Sequence, residues 1–131
     1  MAIEFYIANS DWPNNNIKYW RFKTPNYLPD MPSGLDGRWR WFLYDTDLGM
    51  GRRGNEPYKN TIESTLSTHN SWQSFVIRNL IGSAELPGNK CYREALIAEF
   101  ADNMNTIFHP DRVIPLLDEW TKMLEPEIGE H

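Results

Sequence analysis

The chain has 131 residues, 40% of them hydrophobic, with six each of Trp, Tyr and Phe and a formal net charge of −5. That apolar content supports one folded domain and excludes a disordered segment, and the acidic balance argues against a general nucleic-acid binder. No apolar run reaches the roughly 18 residues that a membrane span requires.

The charge is uneven. Residues 1–60 carry eight Lys and Arg against seven Asp and Glu, whereas residues 61–131 carry five against eleven. An acidic partner would be better received by the first part. The opening MAIEFYIANS has neither the basic region nor the cleavage site of a signal peptide, and it begins inside an apolar pattern. With PEIGEH closing the chain without a clear tail, the expectation is a piece of a longer protein.

In chain order, Met1 to Ala8 reads as the end of a helix. DWPNNN follows, where Pro13 and three asparagines forbid helix continuation. Ile17–Lys23 and Arg38–Asp45 are rich in aromatic and branched residues and predict two strands. Between them TPNYLPDMPSGLDG is turn chemistry, ending in Asp36-Gly37. Paired antiparallel, these strands bring the start of the first beside the end of the second. That sets Asn16 beside Asp45 and Asp47, with Asp11 on the loop just before.

The remainder reads as helices. After STHN, Trp72, Phe75, Val76 and Leu80 recur at helical spacing, and Gly82 ends the segment. SAELPG links to a second helix with Ile97, Phe100, Ala101, Met104 and Phe108 on one face. In HPDRVIPLLDEWTKML a third helix starts with Pro110 at its first position and Asp111 in its first turn, and Pro115 predicts a kink or a late start. Cys91 reads as a partly buried thiol in a helix. The expected fold is α+β: a two-stranded antiparallel hairpin (residues 1–60) carrying the site, then about three packed helices (61–131), in one domain of 131 residues.

The hairpin gathers oxygen ligands. Asp45 and Asp47 are two apart in an extended segment, so their side chains share a face about 7 Å apart. Asn16 adds a carbonyl oxygen. Mg²⁺ takes such groups, one or two carboxylates with phosphates and water completing the shell. Asp47 is the stronger candidate and Asp45 the weaker, since Asp45 could orient backbone instead. Glycines 49 and 51 turn the chain away, and Arg52 and Arg53 follow as candidate phosphate contacts or a solvated loop. Asn14 and Asn15 satisfy backbone groups, with Asn15 a further substrate or phosphate contact. His69 and His109 mark helix boundaries and His131 is terminal, so no zinc spacing exists.

An Asp, an Asn five positions on, a strand, a turn, a second strand and Asp-x-Gly is the layout of a protein-kinase site. Asp11, Asn16 and Asp47-Leu48-Gly49 match it. DWPNNNIKYWRF, DGRWRWFLYDTDLGMG, FVIRNLIGSAE and FADNMNTIFHPDRVIPLLDE resemble the CotH (spore coat protein H) family of atypical kinases over most of the chain. The resemblance implies a kinase C-lobe-like fragment, ATP with Mg²⁺ or Mn²⁺, phosphate transfer to protein Ser or Thr, and a spore-coat or cell-surface setting in a bacterium. It implies Asp11 as the catalytic residue and Asn16 and Asp47 as metal ligands. No counterpart of the family's amino-terminal lobe precedes Asp11, so the chain alone is expected to be inactive. Two other readings stand beside this one. Trp20, Trp39 and Trp41 could form a sugar-stacking platform, and Asp45 with Asp47 could bind Ca²⁺ in a surface domain without catalysis.

Overall fold

The computed structural model describes residues 1–52, 58–67 and 72–129. Its elements are α1 (Ala2–Tyr6), β1 (Lys18–Trp20), β2 (Arg40–Phe42), α2 (Thr61–Ser67), α3 (Trp72–Ile81), α4 (Lys90–Asn105) and α5 (Pro110–Ile128). The α+β class, with an antiparallel hairpin followed by helices, is the one the sequence implies. Two compact units divide within α4, residues 1–93 and 94–131. Composition changes earlier, near residue 60.

In the hairpin Lys18 pairs with Phe42, Tyr19 with Trp41 and Trp20 with Arg40. Both strands are three residues long, shorter than their aromatic runs suggest. At the open end the cause is backbone conformation. Asn16 and Asp45 sit at φ 52° and 53°, in the left-handed region, where a ladder cannot continue.

At the other end the loop folds around Asp36, which is buried. Arg40 grips both its carboxylate oxygens, at 2.7 and 2.9 Å, and the Arg38 amide donates to it at 3.0 Å. The Arg40 hydrogen bonds, and then the Arg38 amide and the charge of both arginines, hold this carboxyl far below the usual carboxylate range against the opposing effect of burial. Gly37 beside it has φ 81°, and a Cβ there would meet Thr24 Oγ1 at 2.1 Å. The Asp-Gly pair is therefore an anchor as well as a turn.

Cross-strand partners share a face and neighbours along a strand alternate. Tyr19 stands edge-on to Trp39 at 5.4 Å and to Trp41 at 5.9 Å. These three line a cavity of about 400 Å³ with Val76, Leu80 and Tyr92. Trp20 belongs to the opposite face with Lys18 and Phe42. The three tryptophans thus do not form one continuous platform.

The first unit has a small core. Phe5, Trp12, Ile77 and Ile81 are buried, and Phe5 meets Trp12 edge-on at 5.2 Å. Helix α3 has the expected bounds and ends at Gly82 with φ 103°, but a different face is inside. Ser74, Ile77, Arg78 and Ile81 are buried while Trp72, Phe75 and Val76 are exposed. Apolar residues occupy more than half of this helix's circumference, so spacing alone does not select the buried stripe.

Helix α2 is an addition to the helices the sequence suggests. Asn60 begins it: its Oδ1 accepts from the Glu63 amide at 3.1 Å and its Nδ2 donates to the Glu63 carboxylate at 3.3 Å. This reciprocal pair is a variant of the capping box. Thr61 Oγ1 then donates to the Phe5 carbonyl at 3.0 Å, tying α2 to α1.

Helices α4 and α5 contain no buried residue, and Ile97 on the expected apolar stripe of α4 is exposed. Cys91 is exposed too, not partly buried. Helix α5 starts at Pro110 with His109 as its cap, accepting from the Asp111 amide at 3.3 Å. It continues past Pro115 and Pro126, so the late start that Pro115 suggested does not occur. The strong helix formers between the prolines, Leu116 to Glu125, carry it through. No helix among the described residues is long and apolar enough to cross a membrane.

Candidate active site

Two short segments, residues 7–16 and 45–50, are sewn together by backbone. Met50 N–H donates to the Ile7 carbonyl at 2.6 Å, and the Ser10 amide and hydroxyl both donate to the Leu48 carbonyl, at 3.1 and 3.2 Å. Gly49 sits inside this clasp, where a Cβ would lie 3.0 Å from the Ile7 carbonyl oxygen. The residue after Leu48 must therefore be small.

Strain concentrates at the same place. Among the described residues, Ala8, Asn16, Asp45 and Met50 are the non-glycine ones with positive φ, between 51° and 56°. Asn and Asp adopt this conformation readily, whereas Ala8 and Met50 pay on the order of 1 kcal/mol each. Such outliers persist where surrounding contacts over-determine the backbone, and they cluster at functional sites.

Asp11 is held from both sides. Its backbone carbonyl accepts from the Asn15 amide at 2.7 Å, and Asn16 Nδ2 donates to its Oδ2 at 3.2 Å. The Asn15 side chain is a distant donor to the other oxygen, at 3.5 Å. Asn15 thus steadies Asp11. Because the Asn16 amide faces Asp11, its carbonyl oxygen is left as a ligand for something else.

On the other segment, the Asp45 carboxyl lies close to that of Asp47. That contact, together with desolvation and the negative charges of Asp47 and Asp11, raises the Asp45 carboxyl above its ordinary value, and Lys18 offsets it in part. Lys18 itself lies 3.4 Å over the Tyr44 ring. Residues 36 positions apart in the sequence, Asp11 and Asp47, thus both bear on the Asp45 carboxyl.

Arg52 does not stand apart as a phosphate contact: its guanidinium pairs with the Asp47 carboxylate. Arg53, the other candidate, lies outside the described residues, as do His69 and His131. Among the described residues no three His, Cys, Asp or Glu side chains converge as a metal site.

One residue escaped the sequence reasoning. Asn9, which is buried, accepts from the Asp11 amide at 3.1 Å and donates to the Glu4 carboxylate at 2.9 Å and to the Asp45 carbonyl at 3.3 Å. The bond to the Asp11 amide, two residues on, is an Asx turn, which Asn favours.

A loop Asp and an Asn five residues on, leading into a hairpin whose far end carries Asp-x-Asp-x-Gly, is the arrangement of catalytic and metal loops in kinases. The family model for CotH kinase protein matches residues 1–131, and the chain belongs to that family. Comparison with curated proteins and with solved structures gives no match.

Proposed function

We propose that this chain supplies the substrate-orienting and metal-holding part of an atypical protein kinase that transfers the γ-phosphate of ATP to protein Ser or Thr. The observation that carries the reading is the clasp that brings the Asp11–Asn16 loop beside the segment bearing Asp45 and Asp47. Family membership gives the kinase class; acceptor, cofactor and roles are the proposal.

In this reading Asp11, fixed by Asn15 and Asn16, accepts a hydrogen bond from the acceptor hydroxyl and orients it for in-line attack, taking the proton as the bond forms. Asn16, through its carbonyl oxygen, and Asp47, with Asp45 beside it, would hold Mg²⁺ or Mn²⁺. The bound cation would neutralise charge on the β and γ phosphates. Arg52, now paired with Asp47, would give up that carboxylate to the ion and be free to pair with an anionic phosphate oxygen. Catalysis is positioning and charge neutralisation.

Asp47 and Arg52 are more than half exposed, so the site is open to water. Water weakens the fields that stabilise a transferring phosphoryl group. The isolated chain is accordingly proposed to bind metal without transferring phosphate, and the compartment to be the spore coat or cell surface. The test uses a longer protein containing this chain, with labelled ATP and Mg²⁺ or Mn²⁺. Label should reach Ser or Thr of protein, and Asp11→Ala and Asp47→Asn should abolish it. Transfer by the isolated chain that Asp11→Ala removes would overturn the inactivity of the chain alone.

A further inference from the structure

The contacts of Asn9 have a common geometry. Its three side-chain bonds reach α1 through Glu4, the substrate loop through the Asp11 amide, and the metal loop through the Asp45 carbonyl. The Asp45 carbonyl only accepts and the Asp11 N–H only donates, so one orientation of the Asn9 amide serves both, and the Glu4 carboxylate, accepting from the same NH₂, holds it there. Glu4 is itself buried. The amide is thus locked in one of its two orientations, and both ends act on the site.

We infer that Asn9 is the positioning residue that sets the spacing between Asp11 and the Asp45–Asp47 pair, with Glu4 as the group that fixes its orientation. The inference deepens the proposed metal-dependent site and rests on it for its consequence, not for its geometry. Ile7 closes the clasp through its backbone carbonyl, and the Ser10 hydroxyl only duplicates the bond that its own amide makes to the Leu48 carbonyl. Asn9 links both loops through a side chain, so it is the position where substitution separates them. No residue with only a donor or only an acceptor can replace it.

The test compares two variants of this chain, with amide exchange followed by NMR and Mn²⁺ binding by calorimetry. Asn9→Leu removes every bond, so exchange at the Asp11 amide should rise about ten-fold and Mn²⁺ affinity fall about ten-fold, the scale of a lost buried hydrogen bond. Asn9→Asp, made together with Glu4→Gln so that no carboxylate opposes it, keeps an oxygen for the Asp11 amide but has no donor for the Asp45 carbonyl. It should leave Asp11 exchange near wild type and still weaken Mn²⁺. Amides of the β1–β2 ladder should be unchanged in this double variant, and a general loosening would move them. Wild-type Mn²⁺ affinity in the double variant overturns the inference. If the wild-type chain binds no Mn²⁺, the metal reading fails, and exchange at Asp11 decides the positioning claim: a rise in Asn9→Leu alone supports it, and unchanged exchange overturns it.

Discussion

Asn16 donates its side-chain amide to Asp11 Oδ2 at 3.2 Å, and the two residues lie five positions apart on one loop. The bond fixes the Asp11 carboxylate, which in the proposed site would meet the acceptor hydroxyl, and turns the Asn16 oxygen away from Asp11. Asn16→Asp would set two carboxylates against each other and free Asp11 to turn. Misplacement of a reacting group by about 1 Å costs roughly 10²-fold in rate. In the kinase containing this chain, Asn16→Asp should lower kcat by about that factor with little change in melting temperature, measured by phosphate transfer and thermal unfolding.

Asp47→Asn tests a different link. The Arg52 pair is exposed on both sides, so its loss should cost only about 0–1 kcal/mol, within the range of surface ion pairs. Metal-dependent transfer should nevertheless disappear. A denaturant titration alongside the transfer assay separates the two effects, and a large loss of stability would make Asp47 a structural residue.

Two buried carboxyls should shape the pH dependence of folding with opposite signs. Asp36 is depressed by Arg40 and Arg38, so its contribution is present above about pH 4, the ordinary Asp value, and is lost as pH falls through its lower folded value. Glu4 is raised, chiefly by desolvation and in spite of the Asn9 hydrogen bond. Its protonated form is favoured in the folded chain, so its contribution is present below its ordinary value and is lost as pH rises through the raised one. Unfolding free energies measured from pH 2 to 8 should lose part of the acid destabilisation in Asp36→Asn. In Glu4→Gln they should lose the decline on the rising side.

Gly37→Ala should destabilise the loop by on the order of 1–3 kcal/mol, because the positive φ and the approach to Thr24 both oppose a Cβ. Gly34→Ala has a positive φ as well, but its Cβ would make an ordinary 3.5 Å contact with Trp20. The Gly37 variant should therefore melt lower than the Gly34 variant, and equal melting would remove the steric part of the explanation.

What the sequence made legible was local. The Asp-to-Asn spacing, the hairpin and the helix starts at Trp72 and Pro110 are written in neighbouring residues. Helix α2 was equally local, since Asn60 and Glu63 stand three apart, but the surrounding TIESTLS has too weak an apolar stripe to draw notice. Burial was not local. Phe75 and Val76 have the spacing of a core face, yet Ser74 and Arg78 are inside, because the choice depends on neighbours distant in sequence. Asn9 was hidden for the same reason: its importance comes from Glu4 and Asp45, 36 positions from it on one side. The Arg52–Asp47 pair likewise depends on how tightly the glycines turn the chain.

The account is tested most directly by titrating Mn²⁺ into this chain and its Asp47→Asn and Asp11→Ala variants by isothermal calorimetry. Saturable binding should be seen in the wild type and in Asp11→Ala, and should be lost in Asp47→Asn. Equal affinity in wild type and Asp47→Asn would contradict the assignment of this site as the metal-holding part of a kinase.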